Sequence, residues 1–116
     1  MGNFVIVTGA ESVEDGGMKE VSLEGRRVLL ARVGDKYYAA DIKCTHLGGN
    51  LADGKLSGTI VTCPRHGSQF DLRDGSVVRW LQSQGLAAKM GKVLKPPKPL
   101  SVYNVIVEHG SVKIEI

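Results

Sequence analysis

The residues able to hold a metal fall in two short segments, Cys44-Thr45-His46-Leu47-Gly48-Gly49 and Cys63-Pro64-Arg65-His66-Gly67-Ser68. Both cysteines of the chain and two of its three histidines are there, and sixteen residues separate His46 from Cys63. Cysteines buried at random and histidines scattered over a surface would not fall into two matched pairs. Two thiolates and two imidazoles suit zinc or an iron–sulfur cluster. Structural zinc sites usually pair like with like, cysteine with cysteine and histidine with histidine. Here each segment mixes one thiolate with one imidazole, as C-x-H and C-x-x-H. A binuclear cluster explains the mixture better. Each segment gives its cysteine to one iron and its histidine to the other, so that thiolates hold the inner iron and imidazoles the outer one.

The segments CTHLGG and CPRHGSQFD resemble those of the Rieske 2Fe–2S proteins, and the resemblance extends over the whole chain. It implies one 2Fe–2S cluster per chain, ligated by Cys44 and Cys63 on one iron and by His46 and His66 on the other. It also implies that Ser68 gives its hydroxyl to a bridging sulfide. Phe70 matches a position that is tyrosine in high-potential members, so this chain keeps one of two hydrogen-bond donors. Gly48, Gly49 and Gly67 would let backbone amides approach the sulfurs closely. Respiratory and photosynthetic members carry an added cysteine in each loop, joined as a disulfide. Gly49 and Arg65 stand at the matching positions. Those members also have a membrane anchor, and none is expected here. The resemblance is therefore to a Rieske-type ferredoxin, similar to the carrier component of ring-hydroxylating dioxygenase systems. A terminal oxygenase subunit is not expected, because 116 residues leave no room for a second, iron-bearing catalytic domain.

Strands must position these loops. Phe4 to Val7 is a short apolar run, and Arg26–Val33 and Lys36–Ile42 are longer ones separated by a Gly34-Asp35 hairpin break. Thr59–Thr62 is β-branched. Tyr103–Val107 alternates, His109-Gly110 turns, and Val112, Ile114 and Ile116 alternate again. Close-set short strands predict an all-β fold. With the resemblance, this becomes a Rieske-like antiparallel β-sandwich or barrel with a small loop-rich subdomain. Residues 1–116 read as a single domain, with the cluster-binding part at about 42–74. One stretch, Trp80 to Met90, has helical character weakened by Gly85, and it runs into Lys95-Pro96-Pro97-Lys98-Pro99, which no helix interior accepts. Fifteen glycines, about twice the usual share, fit many tight turns.

A net charge of +3 is too mild to argue for nucleic acid. Its placement is uneven: residues 1–24 hold five acids against Lys19, and residues 79–107 hold five bases and no acid. Lys89, Lys92, Lys95 and Lys98 recur every third residue, which polyproline II geometry would put on one edge; a solvated basic loop is the plainer reading. His109 reads as an ordinary turn residue and Trp80 as core. No apolar run approaches the ~18 residues of a membrane span, and no secretory signal opens the chain, so a cytoplasmic setting is expected.

The function expected is one-electron transfer without a substrate of its own, from a reductase as donor to a terminal oxygenase or similar acceptor. Two thiolates and two neutral imidazoles leave the oxidised cluster formally neutral, whereas four thiolates would leave it at −2. The electron is therefore accepted more readily here. The alternatives are a small Rieske subunit of a larger redox enzyme, such as an assimilatory nitrite reductase, and a zinc-binding interaction module.

Overall fold

The computed structural model describes residues 3–45, 49–65, 67–79 and 98–116. They form eleven strands in three antiparallel sheets. The first sheet has the order β1-β11-β10, from Phe4–Ile6, Ser111–Glu115 and Val105–Glu108. The second has the order β2-β3-β4-β9, from Met18–Leu23, Arg26–Val33, Lys36–Asp41 and Val102–Tyr103. The third runs β5-β6-β7-β8, from Lys55–Ser57, Ile60–Thr62, Gln69–Asp71 and Val77–Arg79. No helix among the described residues is long and apolar enough to cross a membrane. The Trp80–Met90 stretch lies outside the described residues.

Turn chemistry sets the hairpins. β2 and β3 are joined by Glu24-Gly25 and β10 and β11 by His109-Gly110, with φ positive at both residues of each pair (49° and 82°, 51° and 77°). Such two-residue turns match the right-handed twist of the flanking strands, and glycine adopts the second position without a Cβ clash. The Gly34-Asp35 break expected from the sequence joins β3 to β4 in register, Val33 opposite Lys36.

The second sheet is the middle layer, and its sequence says why. Val28, Leu29, Leu30 and Ala31 are consecutive and all fully buried. A strand covered on one face would alternate; a continuous apolar run is covered on both. Val28 and Leu30, with Val21, Leu23 and Ala39, pack against Val112 and Ile114 of the first sheet. Leu29 and Ala31, with Ala40, pack toward Val61 and Phe70 of the third sheet, together with Cys44 and Cys63.

Two expectations are revised. The run Tyr103–Val107 is two strands: Tyr103 ends β9 beside β4, and Val105 begins β10 beside β11. Asn104 is the crossing point between sheets, its carbonyl accepting the Glu115 N–H at 2.9 Å and its amide donating to the Glu115 carboxylate at 2.8 Å. The strands Met18–Leu23, Lys55–Ser57, Gln69–Asp71 and Val77–Arg79 were not expected. Three of the four have only three residues, too few for a period to show.

Candidate metal centre

The two ligand segments are closed by the same backbone device. The Cys44 N–H donates to the Gly49 carbonyl and the Cys63 N–H to the Ser68 carbonyl, both at 2.8 Å. In each case the acceptor lies five residues on, and the closure encloses the histidine position. The Gly67 N–H returns to the Cys63 carbonyl at 3.2 Å, with Gly67 at a φ of 76°. A residue with a Cβ is disfavoured there, so glycine permits the tight second loop.

The segments also meet. A Cβ built on Gly49 would lie 2.9 Å from Cys63 Sγ and 3.1 Å from Arg65 Cγ. Gly49 is therefore the floor on which the second loop rests, its backbone against the Cys63 sulfur and the Arg65 stem. This closeness requires glycine. Cys44 and Cys63 are each 3% exposed, and neither forms a disulfide. Ser68 is fully buried beside them in sequence, while Pro64 and Arg65 are exposed. His46 and His66 lie outside the described residues, as do Leu47 and Gly48.

Longer-range contacts brace the loops. Thr45 Oγ1, between Cys44 and the His46 position, donates to the Lys98 carbonyl at 2.6 Å. Asn50 caps the turn Leu51–Asp53 by accepting the Ala52 N–H at 2.9 Å, and its amide donates to Glu20 at 3.3 Å. Glu20 in turn receives two guanidinium bonds from Arg27 on the neighbouring strand, at 2.6 and 3.0 Å. Those bonds hold its carboxyl below the usual carboxylate range. Arg79 donates from Nε and Nη2 to the Gly67 carbonyl, at 3.2 and 3.1 Å. Sequence reasoning missed Thr45, Asn50 and Arg79 as parts of the centre. An Asn ahead of a turn is a local signal; the partners of Thr45 and Arg79 lie 53 and 12 residues away, and nothing local points to them.

The described residues fit a 2Fe–2S cluster. Two reduced thiols reach the interior from separate loops, a glycine gives the space a Cβ would fill against one sulfur, and the surroundings are apolar. Soft thiolates in such a place suit iron–sulfur chemistry.

Known proteins agree. A family model described as the Rieske [2Fe-2S] domain matches residues 3–95. Ferredoxin CarAc of Metapseudomonas resinovorans is 30% identical over 109 residues, covering 93% of this chain and 89% of its own. The solved Sphingomonas yanoikuyae B1 ferredoxin superposes with a TM-score of 0.76 at 29% identity, over 98% of this chain and 99% of that one. A chain in the complex of reduced oxygenase and oxidized ferredoxin in carbazole 1,9a-dioxygenase superposes at 0.75, with 28% identity over 97% of this chain and 92% of its own. These likenesses do not favour a nitrite reductase subunit or a zinc module. With its paired cysteine–histidine loops on a three-sheet scaffold, the chain belongs to the Rieske [2Fe-2S] family, an electron carrier with a 2Fe–2S cluster and not an enzyme.

Proposed function

We propose that this chain takes single electrons from a reductase and delivers them to a terminal oxygenase in the cytoplasm. Cys44 and Cys63 hold the inner iron of the cluster, His46 and His66 the outer iron, and Ser68 gives its hydroxyl to a bridging sulfide. The observation that carries this reading is the interlock of the two loops at Gly49 and Cys63 Sγ. Both cysteines also belong to one buried apolar cluster, which supports a cofactor shared between the loops. When bound, the cluster supplies reversible one-electron chemistry. The chain's own part is positional. Residues of about 42–74 act as the cluster-binding subdomain, and the remaining sheets of the single domain act as its base. The buried cysteines shield the inner side from water. The exposed Pro64 and Arg65 mark the face where a partner would contact the centre.

Purified anaerobically, the protein should contain iron and acid-labile sulfide at about two each per chain. The reduced form should give an EPR signal of mixed cysteine and histidine ligation. Replacing His46 or His66 by Ser should abolish that signal without unfolding the sheets. One equivalent of zinc and no sulfide would refute the assignment. Reduction by a candidate reductase and reoxidation by a candidate oxygenase, followed in a stopped-flow instrument, test the direction of transfer.

A further inference from the structure

Strand β8 departs from regular pairing where it approaches the centre. Phe70 of β7 faces Val77, but Gln69 faces Arg79, so Val78 is an extra residue on β8. Val78 is 52% exposed. A bulge of this kind re-aims the side chain beside it. Here it sets Arg79 opposite Gln69, where regular pairing would have put Val78. From that place the guanidinium of Arg79 forks onto the Gly67 carbonyl with two N–H groups. Gly67 follows His66 directly, and its own N–H is tied to the Cys63 carbonyl. Both polar groups of Gly67 are therefore fixed. Among the described residues no carboxylate forms an ion pair with Arg79. Its positive charge is held half-buried against the second loop.

We propose that Arg79 is a positioning residue for electron transfer: it clasps Gly67 and so holds the second ligand loop against Cys63, and its fixed charge favours the reduced centre. This rests on His66 being an outer-iron ligand. One electron enters from the reductase and one leaves to the oxygenase, so the charge of the centre falls by one and returns. A fixed cation nearby stabilises the more negative of these two states. A surface arginine of no consequence would need neither a bulge nor a two-pronged bond to a single carbonyl.

Three variants separate the charge from the clasp. Arg79→Gln keeps a donor and removes the charge, Arg79→Lys keeps the charge and loses the fork, and Arg79→Met removes both. Redox titration of the loaded proteins should show Arg79→Gln and Arg79→Met binding the electron about threefold to tenfold less tightly. At 59 mV per tenfold change for a one-electron couple, that is roughly 30–60 mV lower. Arg79→Lys should stay near the wild-type potential, yet share with Arg79→Met a broadened EPR signal from a loosened second loop. If Arg79→Met fails to retain its cluster while Arg79→Lys retains it, the role of the fixed charge is supported. Wild-type potential and line shape in Arg79→Gln and Arg79→Met would overturn the proposal, as would equal potentials in Arg79→Lys and Arg79→Met. Absence of any reduced EPR signal in the wild type would instead overturn the ligand assignment beneath it.

Discussion

Ser68 is a hydroxyl-bearing residue with no solvent contact, placed two residues after a proposed ligand. The role proposed for its hydroxyl is a hydrogen bond to a bridging sulfide of the cluster. A bond to sulfide that strengthens on reduction by about 1–2 kcal/mol would raise the potential by roughly 40–90 mV. Ser68→Ala is expected to lower the potential by that amount with the cluster retained. An unchanged potential in a titration of the loaded variant would remove Ser68 from the account. Gly49 allows a sharper expectation. A methyl group there would press on Cys63 Sγ and the Arg65 stem, and overpacking of this kind costs about 1–3 kcal/mol. Gly49→Ala should keep its far-ultraviolet circular dichroism and lose iron and sulfide on gel filtration; full occupancy would show that the loops give way. Cys44 and Cys63 stand out in the sequence by residue type and spacing, and Ser68 through the family resemblance; their roles toward a cluster are proposals. The bracing by Thr45 and Arg79 was not legible there, because a side chain's bond to a distant carbonyl leaves no pattern in sequence.

The strands divide in the same way. Arg26–Val33 was read with its bounds intact, since eight residues between two turn signals give both length and hydrophobicity. Gln69–Asp71 was hidden inside the ligand motif, where the eye is drawn to the metal ligands and three residues show no alternation. The turn after it is held by charge. Asp71, nearly buried, accepts from the Arg73 guanidinium at 2.7 Å and from the Arg73 N–H at 3.0 Å, while its own N–H reaches the Ser76 carbonyl. Its bonds from Arg73, above all from the side chain, outweigh desolvation and lower its pKa to about 2, against 3.8 for the free group. A carboxyl with a depressed folded-state pKa adds stability above its unfolded value and loses it as pH falls through the folded one. The stability difference between wild type and Asp71→Asn, read from urea midpoints, should thus be constant above about pH 5 and shrink between pH 4 and 2. A difference that does not change over that range would show that Arg73 does not hold the carboxylate.

The three sheets place the centre on the side of the middle layer away from the first sheet, and that arrangement decides which surface a partner can use. Arg65 is exposed, and its stem lies on Gly49. Its charge is therefore presented close to the proposed exit of the electron. An acidic partner surface would be steered toward it, and salt would weaken the steering as the Debye length falls from about 10 Å at 0.1 M to about 3 Å at 1 M. Reduction by the cognate reductase should slow at high salt. Arg65→Glu should slow it at low salt roughly threefold to tenfold, through the association rate. Stopped-flow rates of the two proteins that agree at low salt would show Arg65 to be merely solvated. Of the basic edge of Lys89, Lys92, Lys95 and Lys98, only Lys98 is among the described residues.

Cys44 and Cys63 are members of the apolar core that joins the second sheet to the third, alongside Leu29, Ala40, Val61 and Phe70. Cofactor binding should therefore add to the stability of these layers, because binding free energy and folding free energy are shared. In a cell short of iron, newly made chains would open more often, and chains that open are cleared by proteases. The amount of this carrier would follow iron supply through protein turnover alone, with no change in its transcription.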